Sequence, residues 1–213
     1  IDNDGDLDVT IISQHAVAGD IYGFEGLLVF KNNGKGIFTE TDMYPADGYF
    51  DISFPKFVCH ADFNNDSFTD IAIMANFAGT ILLNSAEGTF INDSAHTRTF
   101  WGSEQISPFT CSDINGDGWI DIVKSGYTIP FELTPRFYAV VANCNSNFSY
   151  NCNHKNIFVD TLPNALIHAV TVADLDADGD MDLIHAGEGI FITLNKDTVT
   201  SVIKDDNRQP KEF

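Results

Sequence analysis

A nine-residue pattern of oxygen-bearing side chains recurs along this chain and limits its fold more than any other feature. Asp62, Asn64, Asp66 and Asp70 occupy positions 1, 3, 5 and 9 of one copy. Asp113, Asn115, Asp117 and Asp121 do so in a second, and Asp174, Asp176, Asp178 and Asp182 in a third. An N-terminal copy supplies Asp2, Asp4 and Asp8 at positions 3, 5 and 9, with Asp6 at position 7, while its position 1 falls before Ile1. The final aspartates, Asp8, Asp70, Asp121 and Asp182, are separated by 62, 51 and 61 residues. Such periods fit four-stranded propeller blades.

The flanks of each copy support that period. An apolar or alternating run follows every loop, at residues 9–12, 71–74, 122–123 and 183–184, and reads as a strand. A second strand follows at 27–30, 81–83, 137–141 and 190–194, ending near an asparagine. Turn residues come next, with Gly34 and Gly36 in the first unit and Gly88 in the second, before Phe38 or Phe90 restarts a strand. A further strand precedes each complete loop, at 57–59, 109–111 and 167–172. Each unit therefore reads as strand A, acidic loop, strands B and C, turn, strand D.

The donor set selects a hard cation. Calcium takes six to eight oxygens, and short Asp and Asn side chains alternating on a tight turn converge on one point. Positions 1, 3, 5 and 9 would give side-chain oxygens, and a main-chain carbonyl near position 7 (Asp6, Phe68, Trp119 or Asp180) would add another. Glycine at position 6 permits the reversal in Gly5, Gly118 and Gly179, whereas Ser67 in the second loop would be strained if φ is positive there. An EF-hand would need a glutamate at position 12 and a helix, and here position 12 falls in a β run. Zinc would prefer the His or Cys ligands these loops lack. Asp, Asn and Gly clusters are commonly just solvated turns, but four loops in one register weigh against that for the set.

The loops together with the downstream turn at 32–38 resemble the FG-GAP/VCBS repeat family, which includes integrin α-subunit propellers and several propeller lectins. The resemblance covers nearly the whole chain and is weakest from Thr198 onward. It implies an all-β fold, a β-propeller segment of four-stranded antiparallel blades. The units fall at about 1–54 (incomplete), 55–106, 107–163 and 164–206. Family propellers usually have about seven blades, so the resemblance also implies a larger parent ring. Three to four calcium ions, an extracellular or cell-surface location and a non-catalytic recognition or adhesion role are expected from it.

Charge agrees with cation binding. Eleven basic against 31 acidic side chains give a formal charge of −20, and 15 of the acids are aspartates within the four loops. That field would repel nucleic acid and anionic membranes. No apolar run approaches the roughly 18 residues a membrane crossing needs, so no membrane insertion is expected. Cys144 and Cys152 flank a candidate hairpin end and are expected to form a disulfide. Cys59 and Cys111 lie three and two residues before their loops, offsets that point to opposite faces of a strand, so buried free thiols are expected.

Partner contacts are expected on the face opposite the acidic loops, where the long connections 14–26, 41–54, 95–107 and 125–136 would emerge. Their aromatics include Tyr22, Phe24, Tyr44, Tyr49, Phe50, Phe100, Trp101, Tyr127 and Phe131, either packing between blades or forming platforms for a glycan or an extracellular protein. Tyr49, Phe50, Trp101 and Tyr127 are the chosen ligand-binding candidates. Asn92 and Asn147 head glycosylation sequons in expected loops, usable in a eukaryotic secretory source. The six histidines show no metal-binding spacing, and hydrolase and P-loop motifs are absent. Two alternatives remain open: a structural subunit of an extracellular filament assembling through open blade edges, and an accessory propeller of a secreted polysaccharide-active enzyme.

Overall fold

The computed structural model describes residues 1–14, 25–45, 56–74, 79–85, 89–92, 108–128, 136–142, 167–187, 190–195 and 202–203. These form an all-β structure of four separate antiparallel sheets. Sheet 1 holds β1 (Val9–Gln14), β2 (Glu25–Asn32) and β3 (Phe38–Pro45). Sheet 2 holds β4 (Phe57–Ala61), β5 (Asp70–Met74), β6 (Gly79–Asn84) and β7 (Phe90–Asn92). Sheet 3 holds β8 (Phe109–Ser112), β9 (Asp121–Thr128) and β10 (Arg136–Ala142). Sheet 4 holds β11 (Ile167–Ala173), β12 (Asp182–Gly187), β13 (Ile190–Thr193) and β14 (Val202–Ile203).

Within each sheet the strands pair in chain order, as a meander. Each acidic loop runs directly into a strand: loop 1 into β1, loop 2 into β5, loop 3 into β9 and loop 4 into β12. Position 9 is the first strand residue in the last three. The loops of sheets 2, 3 and 4 thus bridge adjacent antiparallel strands whose register closes at Ala61 with Asp70, Ser112 with Asp121 and Ala173 with Asp182.

The sheets pack face to face, and one apolar cluster fills each gap. Leu27, Val29 and Tyr44 of sheet 1 meet Ile71, Ile73, Leu82 and Phe90 of sheet 2. Cys59, Phe63, Ala72, Met74 and Ile81 of sheet 2 meet Phe109 and Ile122 of sheet 3. Ile114 and Val123 meet Val170 and Leu183 in the third gap. Strand β5 shows why its sequence is an unbroken apolar run: Ile71 and Ile73 point back to sheet 1, Ala72 and Met74 forward to sheet 3, and all are buried. Each fully buried isoleucine or leucine contributes roughly 1.5–3 kcal/mol, so these gaps carry the main stabilisation.

The structure decides for packing at Tyr44 and moves Tyr44, Tyr127 and Asn92 from expected connections onto strands. Tyr44 lies on β3, buried, with its ring edge-on to Phe90 at 5.7 Å and 83°, and its hydroxyl oxygen accepts the Phe90 N–H at 3.1 Å. It closes the first gap and is no platform. Tyr127 sits within β9 opposite Phe137, because β9 runs on to Thr128 where a connection was expected. Asn92 ends β7 opposite Leu82, and its Oδ1 accepts the Thr80 hydroxyl at 2.9 Å, so this sequon asparagine is engaged across the sheet. Tyr49, Phe50, Trp101, Asn147, Cys144 and Cys152 lie outside the described residues.

The cysteine expectation also changes. Cys59 on β4 and Cys111 on β8 form a disulfide, their Cα atoms 6.3 Å apart. Their opposite parity was sound, and its consequence is the reverse of the one drawn from a single strand. When sheets stack, the forward face of one meets the backward face of the next, so cysteines of opposite parity on neighbouring sheets point toward each other. Residue 60 checks the geometry: His60, of the other parity on β4, faces sheet 1, with Nε2 2.8 Å from the Thr10 hydroxyl.

Candidate metal centre

Loops 2 and 3 share a full hydrogen-bond scheme, and loops 1 and 4 show part of it, built by turning backbone N–H groups inward onto side-chain oxygens. In loop 2, Asp62 accepts from the N–H of Asp66 at 3.0 Å and of Ser67 at 2.7 Å. Asn64 Oδ1 also accepts from Asp66 N–H at 3.0 Å, and Asp66 Oδ1 accepts from Phe68 N–H at 2.9 Å. Loop 3 repeats each bond: Asp113 accepts at 3.0 and 2.7 Å, Asn115 at 2.9 Å and Asp117 at 2.9 Å. In loop 4, Asp174 accepts from Gly179 at 3.1 Å and Asp178 from Asp180 at 3.0 Å. Loop 1 keeps the bonds it has residues for, Asp2 accepting from Asp4 at 3.3 Å and Asp4 from Asp6 at 2.9 Å.

Two backbone positions make this possible. Position 6 is left-handed in every loop, with φ of 92° at Gly5, 76° at Ser67, 84° at Gly118 and 96° at Gly179. Position 4 is left-handed too, at Asn3 (61°), Asn65 (58°), Gly116 (72°) and Ala177 (61°). The need at position 6 was legible from glycine. The need at position 4 was not, since Asn, Asn, Gly and Ala share no obvious signal, although asparagine tolerates this region better than other residues with a Cβ.

Position 9 is the knot of each unit. Asp70, Asp121 and Asp182 are fully buried, and Asp8 nearly so. One oxygen accepts from the backbone nitrogen of position 2: Phe63 at 2.9 Å, Ile114 at 3.2 Å, Leu175 at 2.8 Å and Ile1 at 2.8 Å. The other accepts from an asparagine closing the C strand: Asn32 at 2.8 Å, Asn84 at 2.8 Å and Asn195 at 2.7 Å. These asparagines were visible only as turn residues, and their recurrence after strand C was the available signal. Their side chains tie sheets together, Asn84 Nδ2 donating to the Ile1 carbonyl at 2.7 Å and Asn195 Nδ2 to the Ile114 carbonyl at 2.9 Å.

In one loop the oxygens left over converge. In loop 4, Asp174, Asp176 and Asp182 each place a carboxylate oxygen within 4.8 Å of the others, a spread that a cation with 2.3–2.6 Å bonds can span. Loops 2 and 3 offer the neutral carbonyl oxygens of Asn64 and Asn115 at position 3. Each carboxylate oxygen has two lone pairs, so one accepting an N–H still has a site for a metal. The electrostatics favour such an ion. Burial, with Asp66 and Asp62 nearby, pushes the Asp70 carboxyl up to about 6 despite the N–H bonds from Asn84 and Phe63. Among the described residues, no lysine or arginine pairs with Asp62, Asp66, Asp113, Asp117, Asp174 or Asp178. Lys31 does approach Asp2, at 3.8 Å.

Of the positions named from sequence, Asp174, Asp176 and Asp182 bring carboxylate oxygens together, while among the described residues Asp178 lies outside that group and Asp2, Asp4, Asp6 and Asp8 form none; the rings of Phe68 and Trp119 are half-buried. The side chain of Asp6 lies against Gly34 of the following turn, a place that any Cβ at residue 34 would fill.

Residues 62–123, from the first position of loop 2 into β9, match the family model of the FG-GAP-like repeat. No match to the chain was found among curated proteins.

Proposed function

We propose that the FG-GAP-like repeat at 62–123 is one of four in this chain, and that they form a calcium-binding, extracellular β-propeller segment acting in recognition or adhesion without catalysis. The observation that supports this reading is the oxygen-only donor set, with the position-7 N–H bonded to the position-5 carboxylate in all four loops. Asp62, Asn64, Asp66 and Asp70 would hold one ion, Asp113, Asn115, Asp117 and Asp121 a second, and Asp174, Asp176, Asp178 and Asp182 a third. Main-chain carbonyls at Phe68, Trp119 and Asp180 complete the sets. Loop 1, with Asp2, Asp4, Asp6 and Asp8, is the weaker fourth site, because Lys31 already answers part of its charge. The ion neutralises carboxylates that otherwise repel one another and pins each loop onto its sheet. The Cys59–Cys111 disulfide fits an oxidising compartment.

Calcium titration by calorimetry tests the site. Three ions should bind in the 10⁻⁴ to 10⁻³ M range of extracellular modules, and Asp66→Ala, Asp117→Ala and Asp178→Ala should each remove one. At tenfold excess over Kd each site adds about 1.4 kcal/mol of stability. No rise in Tm at millimolar calcium would end the calcium reading. Glycan arrays and protein pull-downs, with and without chelator, test recognition.

A second reading rests on the outer face of sheet 1. Val9, Ile11 and Phe38 are 39%, 45% and 45% exposed, while the residues at the same places in sheet 2, Ile71, Ile73 and Phe90, are 0%, 0% and 2% exposed. That face fits a further sheet of the same kind, in a larger ring or an adjoining molecule. Sedimentation separates the two: discrete monomers exclude assembly between molecules.

A further inference from the structure

We propose that Asn3 and Asn65 are relay residues that couple neighbouring metal loops, so that a cation in one loop strengthens binding in the next. The inference rests on the calcium reading and adds to it how the sites communicate. Asn3 Nδ2 donates to the Ser67 carbonyl at 3.3 Å, and Asn65 Nδ2 donates to the Gly118 carbonyl at 3.2 Å. Donor and acceptor are the same in both: position 4 of one loop, position 6 of the next.

The peptide unit they grip matters for the site. The carbonyl of Ser67 and the N–H of Phe68 belong to one rigid amide, and that N–H holds Asp66 Oδ1 at 2.9 Å. Likewise, the amide between Gly118 and Trp119 presents its carbonyl to Asn65 and its N–H to Asp117 Oδ1 at 2.9 Å. The asparagine amide therefore fixes the plane that positions the fifth-position carboxylate and leads into the seventh-position carbonyl. At the donor end, position 4 lies between the ligands of positions 3 and 5. A cation that orders Asn64 and Asp66 also holds Asn65 left-handed, at φ 58°, with its amide aimed at loop 3.

The same rule says where the relay stops. Position 4 of loop 3 is Gly116 and of loop 4 Ala177, and neither carries a side-chain amide. Loops 1, 2 and 3 form one coupled run, and loop 4 lies outside it. The separate tie from Asn195 to the Ile114 carbonyl reaches position 2 and leaves the 118–119 amide alone.

Loop 3 can be read selectively in the full chain because position 7 there is Trp119, while the other loops carry Asp6, Phe68 and Asp180. In a Trp101→Phe background, Tb³⁺ titration followed by tryptophan-sensitised emission, with Ca²⁺ competition, reports that site. Asp66→Ala, which disables loop 2, should weaken loop 3 about fivefold, the worth of one net hydrogen bond. Asn65→Gly keeps the left-handed backbone, removes the amide, and should weaken loop 3 about as much. Adding Asp66→Ala to Asn65→Gly should then change nothing more. Equal effects of Asp66→Ala with and without the Asn65 amide, or unchanged loop 3 affinity in Asn65→Gly, would overturn the relay while calcium binding stands. If the native chain gives no saturable emission, or Asp117→Ala leaves it intact, the calcium reading falls and the relay with it.

Discussion

Ser67 gives the sharpest test of the loop geometry. It sits at position 6 with φ 76°, where the other three loops have glycine. A left-handed residue with a Cβ costs about 1–2 kcal/mol, and replacing it by glycine loosens the unfolded chain by about 0.4–1 kcal/mol. Ser67→Gly should therefore stabilise the protein by about 0.5–1 kcal/mol, or roughly 1–4 °C in Tm for a chain of this size. The bonds made by this residue survive the change, because both use its backbone: its N–H to Asp62 at 2.7 Å and its carbonyl to Asn3 at 3.3 Å. The reciprocal change isolates the backbone term. A Cβ on Gly118 meets nothing within 4 Å, so Gly118→Ser should lose what Ser67→Gly gains, with no steric contribution. Urea denaturation of both variants, with calcium chelated, measures the pair. Opposite shifts of similar size are expected. A destabilised Ser67→Gly, or a neutral Gly118→Ser, would refute the claim that position 6 is held left-handed in both loops.

Asn84→Ala should cost about 2–3 kcal/mol in urea denaturation, since it strips the donor from the Ile1 and Thr69 carbonyls in a buried setting; a cost below about 0.5 kcal/mol would show that the asparagine ties are incidental. Breaking the Cys59–Cys111 disulfide, which spans 52 residues, should cost up to about 4 kcal/mol by chain entropy, read as a Tm drop with reductant that Cys59→Ser/Cys111→Ser removes, and non-reducing peptide mapping should recover the linked pair. Burial lowers the His185 pKa to about 4 from an ordinary 6.5. Its contribution is therefore present above pH 6.5 and lost as pH falls toward 4, by up to roughly 3 kcal/mol. His185→Gln should flatten stability across that window, and an unchanged acid limb would place the cause elsewhere.

Much of the fold was legible because each unit repeats its local logic. The runs at 71–74 and 57–59 became β5 and β4, and glycine at position 6 announced a left-handed residue. What escaped the sequence lies between units. Lys124 and His185 are buried where sheet 2 has Ile73, one residue after the runs at 122–123 and 183–184 end, and no periodicity marks a polar side chain as interior. The asparagines closing strand C looked like turn formers, since an asparagine in a turn and one bonded to a buried aspartate have the same spelling. Their role depends on Asp8, Asp70 and Asp182, which lie 24, 14 and 13 residues earlier.

The cysteines show how the two levels interact. Parity along a strand is a statement about one sheet, and for Cys59 and Cys111 it correctly gave opposite faces. In a single sheet opposite faces never meet. In a stack of sheets running the same way they are the faces that do, as Ile73 toward sheet 1 and Met74 toward sheet 3 demonstrate on one strand. The repeat period alone was therefore enough to reverse the inference: once the units are taken to stack in order, cysteines one residue out of step in consecutive units are candidates for a bridge, and cysteines in step are not. The same parity sends His60 to Thr10, so a single choice of stacking direction accounts for both contacts.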